Sequence, residues 1–449
     1  MKLNGKFRLT GFGGAELSTQ DIARLAIAFT ILVVCLIVCG LDAQQPAPAE
    51  QTRTITREQA IEDMEFLMAQ LREKHPSPFG QTSEDEFQRE LYRLRSGFDE
   101  RVTIRDFSLA IAALLALVKD DHTRHRDFSA YHEHLRNDGK LFPIKLRYRD
   151  GHMVVESWSP QVIPTRLGVG DTVLSVNGES MESIVQRYGR YLSLETDLQR
   201  RWAMDWWFDK YQVLLGDARE QYSLKLCDGA DEVYEETLPA VGSWLEQYEK
   251  GKSQDPDFSY QFYQEGKVCL FRIRTFAWDL RKQLEEVLIE LLDAMRQRKT
   301  ECVVLDLRGN GGGNGGLGMG IIRTMIDRSY ADDLKPVEEN GWPVQLALLC
   351  DRSTYSAASW LAMVVKDCNV GIIAGEETGG RASFFGDLEN VTLPHSGLTC
   401  TIGTKFFMRR AGYDDRRGVL PDLPLDVMLD NARLVEKILA FVRTKEVGS

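Results

Sequence analysis

The feature that most restricts the fold is the run Cys302-Val303-Val304-Leu305-Asp306-Leu307, apolar but for Asp306, followed by Arg308 and then by a glycine cluster. A run this short, with glycine at its end, reads as a strand covered on both faces. Such strands sit in sheets with helices packed against them. The flanking sequence agrees. Residues 268–273, 344–350 and 370–374 read as further strands. Leu284, Val287, Leu288, Leu291, Leu292 and Met295 fall on one helical face, and residues 356–366 suit a second helix. From about residue 258 the chain therefore reads as a layered α/β domain.

Upstream, the periodicity is different. A helix starts near Thr56, where Gln59 completes a capping box. Ile61, Met64, Leu67, Met68 and Leu71 form its apolar stripe, and His75-Pro76 ends it. A second helix covers about 84–97. A third begins at Thr103, carries Phe107, Ile111, Leu114, Leu115 and Val118, and runs into Asp120-Asp121-His122-Thr123. From residue 141 the period drops to two, and Asp150-Gly151 turns a hairpin. The stretch Leu167-Gly168-Val169-Gly170-Asp171-Thr172-Val173-Leu174-Ser175-Val176-Asn177-Gly178 resembles the signature of PDZ domains, which bind extended peptide at a sheet edge. That resemblance makes Gly170 and Asp171 candidate substrate-binding residues. A tryptophan-rich helix follows (residues 200–215), which is unusual for a compact PDZ domain.

Residues 25–41 contain no charge and follow a segment with net positive charge. Seventeen uncharged, mostly apolar residues are long for a signal peptide and short for a spanning helix. Residues 1–43 are thus expected to be a signal peptide or N-terminal membrane anchor, and 44–55 a polar linker. Either places the rest outside the cytoplasm, periplasmic or secreted. The formal charge of −12 makes nucleic acid a poor partner. The sequence lacks a P-loop, paired CxxC motifs and HExxH, so NTPase, zinc-ribbon and zincin chemistry have no support. Cys269, Cys302, Cys350 and Cys400 lie in apolar strand-like runs and read as buried thiols. Export would permit disulfides, without indicating a pairing. His125, His132 and His134 cluster loosely, without the spacing of a metal site. No metal or other cofactor is expected.

Two stretches carry chemistry. Between Gly309 and Gly316 six residues are glycine and two asparagine. Glycines after a buried strand bring open amides close to a ligand, as in an oxyanion hole or a phosphate cradle; a mobile loop is the plainer alternative. The second stretch is Ser353-Thr354-Tyr355-Ser356-Ala357-Ala358-Ser359, at a strand-to-helix turn. A serine there is ordinarily a cap, yet the helix dipole also suits a developing oxyanion.

Together the two resemble peptidase family S41, the tail-specific or C-terminal processing proteases and their tricorn-core relatives. The chain has the family's LDLRGNGGG unaltered and STYSAAS near its T-x-S-A-A-E. Residues 375–380 resemble G-E-x-T-x-G, residues 418–422 resemble G-V-x-P-D, and residues 120–123 match D-x-H-T. The resemblance runs over roughly 57–430, in order. It implies a multidomain α+β fold: an N-terminal helical domain (56–138), a PDZ-like β-rich domain (139–228), and a crotonase/ClpP-like layered α/β catalytic domain (229–445). It implies Ser356 as nucleophile, with the amides of Ala357 and of Gly311 or Gly312 as oxyanion hole.

The base departs from one branch of the family. Processing proteases use a lysine where this chain has Arg381, which stays protonated and cannot be a base; Arg381 is instead a candidate substrate contact. The histidine-using branch fits His122, with His125 as rival base. Asp415 matches the distal carboxylate best, and Asp121 is an alternative partner for His122. The implied function is an exported serine endopeptidase with polypeptide substrates; homo-oligomers are compatible with it. Two other readings are a non-catalytic peptide- or ligand-binding member of the same fold and an esterase.

Overall fold

The computed structural model describes residues 53–137, 139–242, 256–326, 329, 334–336, 343–412 and 416–446. The expected signal or anchor at 25–41, and Asp415, lie outside them. No helix among the described residues is long and apolar enough to cross a membrane.

The chain opens with β1 (Thr54–Thr56), which pairs antiparallel with β2 (Arg101–Thr103). Between them run α1 (Arg57–Lys74) and α2 (Glu84–Ser96), and after β2 comes α3 (Ile104–Ala116). Capping explains where the first two start. Thr56 accepts from the Gln59 N–H while the Gln59 side chain accepts from Thr56 N–H, and Ser83 with Glu86 repeats the arrangement. The short β3 (Arg124–His125) and α4 (Ser129–Arg136) complete this part.

The β-rich part contains β4 (Ile144–Arg149), β5 (His152–Trp158), β6 (Thr172–Val176) and β7 (Glu179–Ser180). Helices α5 (Met181–Gly189) and α6 (Asp197–Leu214) follow, then β8 (Gln221–Cys227) and β9 (Val233–Pro239). The hairpin at Asp150-Gly151 is as expected. Because β8 pairs with β9 along its whole length, this sheet continues past residue 228, where the sequence suggested a boundary.

The third part is a six-stranded sheet. Its edge strand β10 (Phe258–Tyr263) is antiparallel to β11 (Val268–Ile273). Parallel neighbours β12 (Cys302–Asp306), β13 (Gln345–Cys350) and β14 (Ile372–Gly375) come next. Helix α7 (Arg281–Arg298) precedes β12, α8 (Gly315–Thr324) precedes β13 and α9 (Ala357–Asp367) precedes β14. The strands alternate at period two. Val303, Leu305, Leu346 and Leu348 pack against α7, α8 and α9. Val304, Ala347 and Leu349 pack on the other face against Leu434, Val435 and Ile438. Those three belong to the last helix, α10 (Asn431–Glu446), which comes after a hairpin, β15 (Phe384–Thr392) with β16 (Thr399–Phe407), and the short β17 (Leu423–Pro424) on the sheet's far edge. Every β12 side chain is buried, so Leu305→Ala would cost about 2–5 kcal/mol.

The hairpin, in a separate three-stranded sheet, ties the N-terminal helices to this part of the chain. The β15–β16 hairpin packs Val391, Leu393, Leu398, Cys400 and Ile402 into the core of α1 to α3. β3 adds to its edge, with Cys400 opposite His125 and Thr401 opposite Arg124. The segment just before β3 is thereby brought to the end of the six-stranded sheet.

Candidate active site

The carboxyl ends of adjacent parallel strands form a natural crevice. Here the glycine-rich loop leaves β12 and the serine turn leaves β13. Ser356 has φ 50° and ψ −122°, a conformation that costs about 1–3 kcal/mol in a serine and persists only where its surroundings enforce it. Several bonds do so. The Tyr355 N–H donates to Asn310 O at 2.9 Å, Thr354 Oγ1 donates to Leu307 O at 3.0 Å, and the Gly380 N–H donates to Thr354 O at 3.2 Å. Ser359 Oγ and the Trp360 N–H both donate to Ser356 O.

The Ser356 hydroxyl makes no cap bond to its helix. Its Oγ lies 3.0 Å from His122 Nε2. His122 Nδ1 lies 2.9 Å from Asp121 Oδ1. The imidazole stacks on Phe384, ring centroids 5.5 Å apart. Its backbone is equally constrained: the His122 N–H donates to Asp120 Oδ1 at 3.1 Å, and Thr401 Oγ1 donates to His122 O at 2.8 Å. The neighbouring Gly403 N–H donates to Thr123 Oγ1 at 2.9 Å.

Electrostatics follow from this packing. Burial alone would lower the His122 pKa, but the charge of Asp121, its hydrogen bond to Nδ1 and the charge of Asp120 outweigh that, so it lies above its ordinary value. Burial pushes the Asp121 carboxyl up; His122, the Tyr355 hydroxyl and Arg124 together hold it below the usual carboxylate range. Burial raises the Tyr355 hydroxyl well above its ordinary value, so it stays a donor. A hydroxyl, an imidazole and a carboxylate in line can pass a proton from Ser356 to His122 and stabilise the imidazolium.

The loop from β12 closes the site. Gly312 has φ +100°, and a Cβ there would lie 2.7 Å from Ser356 Cβ and 2.9 Å from Tyr355 O. Its N–H donates to Asn310 Oδ1 at 2.8 Å, so it is committed and cannot also hold an oxyanion. Among the described residues the N–H groups of Gly311 and Ala357 have no acceptor, and both residues line the cleft with Ser356. Asn310 is buried, its Nδ2 also donating to Ile273 O at 3.0 Å. Its role as the clasp of the loop was not anticipated, although an asparagine kept within the glycine run was the available signal.

Other expected positions have structural surroundings. Arg381 is buried in an ion pair with Glu195 and does not line the cleft. Gly170 has φ +94° in a turn, and Asp171 accepts from Tyr234 Oη at 2.5 Å and from the Gly168 N–H at 2.7 Å. Neither lines the cleft around Ser356. His125 is buried on β3, and burial brings its pKa down to about 4; it too lies outside that cleft. Among the described residues, three metal-ligand side chains come together only at Asp120, Asp121 and His122, where His122 already bonds Ser356 and Asp121. Among the described residues no cysteine forms a disulfide, and those at 269, 302, 350 and 400 are buried.

Residues 267–425 match the model of peptidase family S41. A curated relative, the chloroplastic C-terminal processing peptidase of Tetradesmus obliquus, is 33% identical over 136 residues, 28% of each chain. The chain thus spans, in that match, about 28% of the relative's length. The crystal structure of mature CPAF superposes with a TM-score of 0.58 at 14% identity, covering 86% of this chain and 96% of CPAF. The photosystem II D1 C-terminal processing protease gives 0.46 at 20% identity, covering 86% and 98%. The stretch 267–425, which carries both the glycine loop and the serine turn, is thus similar to peptidase family S41.

Proposed function

We propose that the protein is an exported serine endopeptidase in which Ser356 is the nucleophile and His122 its base. The single observation that carries this reading is the 3.0 Å approach of Ser356 Oγ to His122 Nε2, across 234 residues of chain, by a serine that forgoes its helix cap. His122 takes the hydroxyl proton as Oγ attacks the peptide carbonyl. The amides of Ala357 and Gly311 hold the oxyanion. His122 then protonates the leaving amine, and water releases the acyl group. Asp121 orients the imidazole; Asp415 is the competing acid. The cleft around Ser356, about 680 Å³, admits an extended peptide. The resemblance of residues 167–178 to a PDZ signature supports a peptide-capturing role for the β-rich part. The uncharged segment 25–41 supports export, with retention at a membrane as the alternative to cleavage.

The test is cleavage of an unstructured peptide library, beside labelling by a fluorophosphonate. Wild type is expected to cleave and to be labelled at Ser356, while Ser356→Ala does neither and His122→Ala loses nearly all turnover. Full hydrolysis by Ser356→Ala would overturn the assignment. Labelling without peptide cleavage, but with turnover of simple esters, would make the protein an esterase.

A further inference from the structure

The tryptophan-rich helix α6 has no part in the chemistry above, yet it reaches the site. A second hollow of about 340 Å³ is lined by Trp202, Trp206, Trp207 and Leu194. It meets the cleft of Ser356 at Asp121, Arg124, Gly311 and Tyr355, which line both. A chain lying at Ser356 and continuing past Gly311 therefore enters it. Successive residues of an extended peptide are about 3.3 Å apart, so the hollow is within a few positions of the scissile bond.

The hollow is built and fixed. Arg124 lies 5.8 Å from the Trp207 ring centroid, and Arg352 lies 5.8 Å from that of Trp202, so two indoles are held by cation–π contact. The helix is fastened to the catalytic loops. Gln199 Nε2 donates to Gly379 O at 3.2 Å, Glu195 pairs with Arg381, and Asp205 lies 3.6 Å from Arg352. Trp206 is nonetheless 39% exposed. A rigid aromatic wall left open to solvent beside a reacting centre suits one bulky apolar side chain.

Resting on the peptidase reading, we propose that Trp202, Trp206 and Trp207 form a specificity subsite that takes one large apolar or aromatic side chain of the substrate polypeptide. Arg124 and Arg352 brace the wall, and the indole faces supply the contact. This gives the tryptophan-rich helix a function and makes it the determinant of where the enzyme cuts.

The experiment uses a peptide set with a single Phe moved through the four positions on either side of one bond, against an all-Ala parent. At one position Phe is expected to raise kcat/KM about tenfold or more over Ala. In Trp206→Ala that ratio falls to about twofold, and Trp206→Phe restores most of it. Both peptides meet the same enzyme preparation, so loss of folded protein cancels in the ratio. A parallel arm titrates Ser356→Ala with the same peptides by indole fluorescence, which reads binding without turnover. Loss of the Phe preference in Ser356→Ala/Trp206→Ala supports the subsite. An unchanged preference in either arm, or none at any position in wild type, overturns it. If the fluorophosphonate fails to label Ser356, the peptidase reading falls, while the binding arm still decides the subsite.

Discussion

The two sides of the site are held in different ways. Ser356 is fixed by its own backbone, in a strained turn between a parallel strand and a helix, with the glycine loop pressed against it. His122 lies in a turn between α3 and β3 and is fixed by borrowed contacts: Asp120, Asp121, Thr401 and the ring of Phe384. The serine side is local and comes as a motif. The histidine side is assembled partly from remote parts and, apart from Asp121, which acts on the imidazole itself, tolerates change at each contact. Loss of a merely supporting contact should therefore cost far more beside the serine than beside the histidine.

The most severe test is Ser356→Ala, expected to lower kcat by roughly 10⁵–10⁶-fold in a peptide assay, since the other parts act only through the nucleophile. Next is Asp121→Asn. If Asp121 orients His122, kcat/KM falls roughly 10³–10⁴-fold. The acid limb of the pH profile should also move. Neutral His122 is the active form, and its pKa is raised by Asp121, so wild type loses activity as pH falls through a value above 6.5. Without the carboxylate charge that limb shifts to lower pH. A large effect from Asp415→Asn and none from Asp121→Asn would transfer the role.

Gly312→Ala probes the backbone side. With φ +100° and no room for a Cβ, it should cut kcat roughly 10²–10³-fold by displacing Ser356 and the open amide beside it. It should also lower stability by about 1–3 kcal/mol in denaturant titration. The mildest change is Thr401→Val, which removes one hydrogen bond to His122 O, worth about 1 kcal/mol, or roughly fivefold in kcat/KM. Should Thr401→Val prove as damaging as Gly312→Ala, the contrast between the two sides would be lost.

The same contrast separates what was legible in the sequence from what was not. The buried strand before the glycine run, the serine turn and the helix starts at Thr56 and Thr103 are local patterns, and local patterns survive in one dimension. The pairing of β3 with β16 is not local, because Cys400 opposite His125 is a choice of register that no periodicity records. Side-chain bonds hid other features. The Gly312 amide could serve an oxyanion until Asn310 is seen to occupy it. Arg381 could face substrate until Glu195 is seen beside it. Gly315 and Gly316 read as loop because glycine disfavours helix by about 1 kcal/mol each. They open α8 nonetheless. Asn314 Oδ1 accepts the Gly316 N–H, and Gly318 lets Leu361 approach to where a Cβ would be 2.9 Å away.

The β15–β16 hairpin is shared property. One end gives Phe384 and Phe407 to the cleft, and the other gives Val391, Leu393 and Ile402 to the interior of the N-terminal helices. A fragment trimmed to the family-matched stretch, 267–425, would thus keep the hydroxyl but lose the imidazole. It would also present a greasy flank to water, inviting clumping during expression. Anyone shortening this protein for study must keep the N-terminal helices that clasp this ribbon, or work with an inert stub.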